Sequence, residues 1–413
     1  MLKSKPFPIK DSFSYYFSHF LTQIDSALIT IGIPTLSYSL LSNYGFNLKE
    51  LAAIFLLVPL QALGKLTGGF FYGLIVNRVG VYRAILYCLL LTGGLAMSLS
   101  ISLHAWQTID LPPLIPAAFF LLLKASIHAE KAFNLMVVID ESSYSFRPSI
   151  PYYQFFSLLA VLITGFFFYF FEPRINLKFL GNAYAIFGIL FVIAGLMRLK
   201  GLNRESLNKI PFKNYLKLIL DHRNLILFCS IIFGIDQFSY QAAINLTTTI
   251  FFQHEKPWLP ISLLNCLFIL LEISLLPIIS KWLQSRDQDN TFIPLITALG
   301  LGIPLCLFLC QFASFPLFFS LRMLLIILGL SYSLLMMGFL KNYLPKEGFL
   351  GIFISKSLGS ILIATPLIQA MLFSFSRKHF TILIFTKFFI ITYFTRNYII
   401  KNLKIFKLNK ITL

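Results

Sequence analysis

Charge is what this sequence has least of. Asp, Glu, Lys and Arg make up 12% of its 413 residues, against about 25% in a soluble globular chain. A water-soluble enzyme, a disordered protein and a collagen-like fibre are thereby excluded. Acidic residues are scarcest, 16 against 34 Lys and Arg. Cysteine is sparse: Cys88, Cys229, Cys266, Cys306 and Cys310 all lie inside apolar stretches, with no disulfide framework and no metal-ligand spacing. Cys306 and Cys310 share a helix face at i, i+4, as buried inert thiols often do. The six His are dispersed, so no metal and no cofactor is expected. The phosphate-binding pattern G-x-x-x-x-G-K-[ST] is missing, which argues against an ATP-driven pump, and G-x-S-x-G and H-E-x-x-H are missing too. The chain is not expected to be an enzyme. Its first twenty residues hold three Lys and no compact apolar core followed by a small-residue cleavage site, so no cleaved signal peptide is expected.

What the sequence has instead is apolar length. Hydrophobic residues reach 57% and aromatic residues 16%, with 46 Phe, and the mean hydropathy is +0.80. Apolar runs occupy 15–42, 51–76, 82–103, 113–138, 154–172 and 179–198, then 225–252, 259–282, 291–312, 315–338, 349–373 and 379–400. Each is near the ~20 residues that span a bilayer as a helix. The expected fold is all-α: a polytopic membrane protein of twelve transmembrane helices in two six-helix bundles. Residues 198–224 form the only long hydrophilic stretch and split the runs six and six. This predicts an N-terminal bundle over 1–198, a cytoplasmic linker over 199–224 and a C-terminal bundle with a basic tail over 225–413. Within the linker, "NYLKLILDH" has the apolar spacing of a helix lying on the membrane surface.

The net charge of +18 would suggest nucleic acid in a soluble protein, but its distribution points elsewhere. The N-terminus, the linker, the C-terminus and the loops on the same side hold 22 Lys and Arg, and the opposite loops hold six. Cytoplasmic loops carry such an excess. Both termini are expected in the cytoplasm, in a bacterial inner membrane, with no nucleic-acid partner.

After the second run the sequence reads "GFFYGLIVNRVGVYRAIL". Gly73, Asn77, Arg78, Gly80 and Arg83 resemble the signature loop of the major facilitator superfamily, G-x-x-x-D-R-x-G-R-R. Asn77 stands at the Asp position and Val81 at the first Arg of the G-R-R. The segment "SIHAEKAFNLMVVIDESSYSFRP" is similar to the helix-4 pattern of the metabolite:proton symporter branch, which includes proline/betaine carriers. Glu130, Asp140 and Arg147 match its charged positions. "FLKNYLPKEGFLGIFISKSLGSILIATPLI" is similar to the branch's helix-10/11 pattern through Pro345, Gly351, Gly359 and Pro366, and Asp25 fits its helix-1 Asp. The second-half copy of the signature loop keeps only Leu283 and Arg286. The resemblance implies inverted three-helix repeats, a solute site near the midplane, and gating by Gly73, Asn77, Arg78, Gly80, Arg83, Asp140 and Arg147.

An ionisable group at membrane depth costs ~2.5–3.5 kcal/mol even on insertion scales, so each needs a partner or a wet cavity. Lys124, His128 and Lys131 fall at i, i+4 and i+7 on one face of the fourth helix, with Glu130 beside them. Ser18, Thr22, Asp25 and Ser26 form a stripe on the first. Asp236, Gln237, Tyr240, Gln241 and Asn245 lie on the seventh, where Gln237, Gln241 and Asn245 repeat every four residues. Interhelical hydrogen bonding explains that edge as well as ligand binding does. Arg322 and Lys356 are single basic residues, each expected to pair with a carboxylate such as Glu272 or Asp236. Lys65 can sit deep in the second helix.

The expected function is secondary transport of a small organic solute by alternating access, coupled to protons by monomers in the lipid bilayer. The basic excess at membrane depth suits a carboxylate; a zwitterion such as proline or betaine would use both signs. His128 or Glu130 is the expected proton carrier, with Asp25 next. The alternatives are a non-transporting receptor or scaffold that keeps the fold, and a carrier of another branch.

Overall fold

The structure, a computed structural model, describes residues 13, 15–25, 58–79, 81–109, 112, 114–141, 149–171, 177–199, 217, 220, 221, 223–254, 261–286, 288–343, 349–361 and 388–400. Every regular element among them is helical. We number them in chain order. Residues 15–25 form α1, followed by α2 (Val58–Val79), α3 (Val81–Ile109), α4 (Leu114–Glu141), α5 (Ser149–Phe171) and α6 (Leu177–Met197). Arg223–Gln241, a π turn at Ala242–Leu246 and Thr247–His254 run on without a break as α7. Then come α8 (Ile261–Gln284), α9 (Gln288–Cys310), α10 (Phe315–Tyr343), α11 (Phe349–Gly359) and α12 over 388–400.

Seven of these helices are long and apolar enough to cross a membrane. Large apolar side chains stand out from them, among them Ile101 (69% exposed), Ile186 (59%) and Leu305 (57%). Water would penalise such faces, whereas lipid tails accept them. The chain is a multi-pass membrane protein, and the all-α expectation holds. Pro277 in α8 and Pro294 and Pro304 in α9 lie inside helices, where a membrane bundle tolerates the missing hydrogen bond better than a water-exposed helix does.

Contacts divide the chain into two compact units. The first comprises Met1–Glu141, Tyr152–Arg223 and Gly348–Ser357; the second comprises Ser142–Pro151, Asn224–Glu347 and Leu358–Leu413.

In the first unit, small residues bring helix backbones together. A Cβ on Gly68 of α2 would fall 2.2 Å from the Ala125 carbonyl oxygen of α4, and one on Gly93 of α3 would fall 2.8 Å from the Gly188 carbonyl oxygen of α6. Hydrophobic burial cannot drive helices together in lipid, so this close packing does. Leu99 and Trp106 of α3, Phe120 and Leu123 of α4, and Leu180 and Tyr184 of α6 fill the core beside these contacts. Ser126 of α4 ties three helices: its hydroxyl lies 2.8 Å from the Tyr72 hydroxyl of α2 and 2.6 Å from the Thr92 hydroxyl of α3.

The second unit is held by aromatic rings. Phe292 of α9 stacks on Phe339 (4.4 Å between centroids) and on Tyr332 (5.2 Å) of α10. The Tyr332 hydroxyl donates to the Ile232 carbonyl of α7 at 3.1 Å. Nearby in sequence, Phe251 of α7 stacks on Phe318 of α10 at 4.2 Å.

Candidate functional site

The first unit carries a line of polar contacts between α1 and α4. Lys124 Nζ donates to Asp25 Oδ2 at 2.6 Å, both side chains almost wholly buried. Lys131 Nζ donates to Gln23 Oε1 at 3.1 Å, and Asn134 Nδ2 to Ser18 Oγ at 3.3 Å. As α4 advances from 124 to 134, α1 runs back from 25 to 18, so the two helices pair antiparallel. The spacing at i, i+4 and i+7 does put Lys124, His128 and Lys131 on one stripe, but their contacts diverge. His128 turns to α11, where its Nε2 lies 2.7 Å from the Ser357 hydroxyl. Lys356 of α11 donates to the Lys131 carbonyl at 3.5 Å, and Ser357 to the Lys65 carbonyl of α2 at 2.9 Å.

Glu130 belongs to a different group. It accepts a hydrogen bond from Asn134 Nδ2 at 2.6 Å and lies 3.7 Å from Arg198 Nη2. Arg198 also donates to Asn134 Oδ1 at 3.0 Å and to Ser18 Oγ. Its guanidinium sits 4.1 Å above the Tyr15 ring. The sequence places Arg198 at the head of the hydrophilic stretch 198–224, among its basic residues. The structure shows it buried, because a turn bonding its amide to the Gly195 carbonyl closes α6 and folds the side chain inward. A charge next to an apolar run was the available signal, but partners 64 and 180 positions away cannot be read from helical periodicity.

In the second unit, Arg322 of α10 is fully buried. It donates to Thr248 Oγ1 of α7 at 2.6 Å and to Asn265 Oδ1 of α8 at 2.7 Å, with Phe268 beneath its guanidinium at 4.0 Å. The expected ion pair with Glu272 or Asp236 is not formed among the described residues. Neutral amide and hydroxyl oxygens, with a ring face, hold the cation instead. Glu272 is buried too, and it acts on Arg322 through its charge without forming an ion pair among the described residues. On α7, Asp236 and Gln237 are half-buried, and the Tyr240 hydroxyl is buried with no hydrogen-bond partner among the described residues. Gln241 and Asn245 lie at the π turn; their side chains, like the whole of Ser26, are outside the described residues.

The signature-loop positions are simpler. Gly73 is buried in α2, and one residue, Gly80, separates α2 from α3. Arg78 and Arg83 are both exposed and form no ion pair among the described residues. Asn77 and Asp140 sit in the final turns of α2 and α4. Their side chains, together with Gly80 and Arg147, are outside the described residues. All five cysteines are buried free thiols.

No protein-family profile and no curated protein sequence matches the chain. Solved structures do. The proton:xylose symporter XylE, a major facilitator superfamily protein bound to 6-bromo-6-deoxy-D-glucose, superposes with a TM-score of 0.67 at 13% identity, covering 95% of each chain. A double-tryptophan variant of XylE superposes with a TM-score of 0.67 at 14% identity over 94% of each. The polypeptide described above therefore has the major facilitator fold along nearly its whole length.

Proposed function

We propose that the protein is a secondary transporter that moves a small organic solute across a membrane by alternating access, coupled to protons. A fold alone does not imply an activity. The observation that carries this reading is the Asp25–Lys124 ion pair, buried between α1 and α4 in a chain that shares its fold with a proton symporter. A buried pair is stable only while both partners are charged. Protonation of Asp25 dissolves it, freeing the Lys124 ammonium for a solute. Loss of the proton restores it. This makes Asp25 the first candidate for the coupling residue, ahead of Glu130, which is held by Arg198 and Asn134. His128 stays second through its contact with Ser357.

A solute bearing a carboxylate fits the basic excess at membrane depth. The proline/betaine assignment rests on sequence resemblance and gains no support from the structural neighbours, one of which is a proton:xylose symporter. The charge bias supports an orientation with both termini in the cytoplasm of an inner-membrane protein. The division of apolar runs supports two six-helix bundles joined by the 199–224 linker.

The test is accumulation in proteoliposomes under an imposed pH gradient. Asp25→Asn is expected to abolish gradient-driven accumulation while preserving solute exchange, since exchange needs no net change in protonation. Accumulation at the wild-type rate would overturn the coupling assignment. Periplasm-specific activity from a reporter fused after Leu413 would overturn the orientation.

A further inference from the structure

Three groups in the second unit are buried without the partners their chemistry asks for. The Tyr240 hydroxyl of α7 and the Arg322 Nε–H of α10 have no hydrogen-bond partner among the described residues. Glu272 of α8, only 4% exposed, forms neither a hydrogen bond nor an ion pair among them. Native proteins leave few buried polar groups unpaired, and each exception asks for an explanation.

The three belong to one place. Tyr240 feels the charges of both Glu272 and Arg322, and Arg322 feels that of Glu272. Asn265, Phe268 and Glu272 fall at i, i+3 and i+7 on one face of α8. Thr248, Asn265 and the Phe268 ring fix Arg322 at the Asn265 end of that face. The guanidinium therefore stops short of Glu272, two turns further along α8. Opposite charges are held near each other but out of contact, with the Tyr240 hydroxyl in the field of both. The charge of Asp236, one turn before Tyr240, falls on Tyr332. Tyr240 and Asn265 keep part of their surface accessible, so the cluster is not sealed.

We infer that Tyr240, Glu272 and Arg322 form a binding site for a small zwitterion whose cationic end carries N–H groups, a molecule of the amino-acid class, and that the transported solute belongs to that class. An ionised carboxylate only accepts hydrogen bonds, a guanidinium Nε–H only donates, and a phenol does both. The ammonium end of such a solute donates to Glu272. Its carboxylate end accepts from Arg322 Nε and the Tyr240 hydroxyl. Bonds of this kind, with an ionised partner, are about twice as strong as neutral ones. A sugar offers hydroxyls to the same groups but leaves the two separated charges uncompensated. A dicarboxylate repels Glu272, and a quaternary ammonium such as betaine has no N–H to give it. The inference rests on the transport reading for its second half and on the cluster alone for its first.

The test is thermal stability of the purified full chain in detergent with each of the common amino acids, betaine, xylose or succinate at matched ionic strength. A specific ligand raises apparent stability by mass action. At least one amino acid is expected to raise Tm by several degrees, while betaine, xylose and succinate have no effect. Glu272→Gln and Tyr240→Phe should each weaken the shift at least tenfold in apparent affinity. The Tyr240 hydroxyl has no hydrogen bond to lose, so Tyr240→Phe should keep or raise the ligand-free Tm. That separates loss of the site from loss of the fold. Lys178→Gln, which removes an exposed charge at the start of α6, should leave the shift unchanged. In proteoliposomes the two site variants should raise KM and leave the proton coupling ascribed to Asp25 intact. A Tm shift from betaine, xylose or succinate but from no amino acid would overturn the inference, as would an amino-acid shift that either site variant keeps at wild-type affinity. So would no shift from any amino acid, or a Tyr240→Phe protein several degrees less stable without ligand. The two readings fail separately. Amino-acid binding without uptake in proteoliposomes would sink the transport reading and keep the site. Uptake of xylose without amino-acid binding would do the reverse.

Discussion

The two units solve burial of polar groups in different ways. The first buries charge against charge: Asp25 with Lys124, and Glu130 with Arg198. The second buries one guanidinium against neutral oxygens and a phenyl ring, and otherwise stacks aromatic side chains. A charge pair can be switched by moving one proton. The three groups that touch the Arg322 guanidinium carry no proton to lose near neutrality, and the buried Glu272 carboxylate acts on it only through its charge. Under the transport reading proposed above, the contrast favours the first unit for coupling.

The largest effect expected from breaking this contrast is steric. Gly68→Val would drive side-chain atoms into the Ala125 backbone, and no monodisperse folded protein should be recovered by size-exclusion chromatography. The second unit offers the matched case: Gly359→Val meets the Ser230 carbonyl oxygen, 2.3 Å from an added Cβ, and should fail equally. Normal recovery of either variant would mean that the helices can separate at no cost.

Next comes the buried pair. Arg198→Leu leaves Glu130 buried without its cation, at a cost of about 3–5 kcal/mol. The double variant Arg198→Leu with Glu130→Leu should recover much of that loss in thermal denaturation. A double variant less stable than Arg198→Leu would show that the group acts through packing rather than charge.

In the second unit, Arg322→Leu removes two hydrogen bonds made by a charged donor to Thr248 and Asn265, costing about 1–3 kcal/mol. It should leave proton coupling intact, whereas Asp25→Asn should destroy coupling. If Arg322→Leu uncouples transport, the contrast between the units collapses. The smallest effect is Phe292→Leu, about 0.5–1.5 kcal/mol from lost ring stacking, read as a slight fall in Tm with unchanged uptake.

The fold was legible because lipid imposes it: apolar length and basic loops determine where helices must lie. The helices overrun the apolar runs, as α3 does by continuing to Ile109 beyond the run ending at 103. A helix ends where its backbone hydrogen bonds end, which need not be where its hydropathy does. The site was partly legible. Asp25, Lys124, Glu130 and Arg322 stand out as charges in apolar surroundings, but their pairing does not. Lys124 meets Asp25 across 99 positions and Arg198 meets Glu130 across 68, and helical periodicity orients side chains only within one helix. Asn134 gave no sign at all, since an amide one turn from Glu130 looks like any interhelical tie.

The single residue between α2 and α3 has a consequence for biosynthesis. A helix carrying Lys65, and a later one carrying Lys124, Glu130 and Lys131, are poor candidates to enter the bilayer unaided, since each charge opposes partitioning. Between them in the chain lies α3, one of the seven strongly apolar helices. With one residue between them in the chain, α2 and α3 are expected to enter the bilayer together as a hairpin, the hydrophobic arm carrying the lysine-bearing arm with it. The order of helices along the nascent chain thus lets the charged segments wait beside an already inserted neighbour until Gly68 meets Ala125. A nascent chain halted between α2 and α3 would lose that escort and expose Lys65 to lipid.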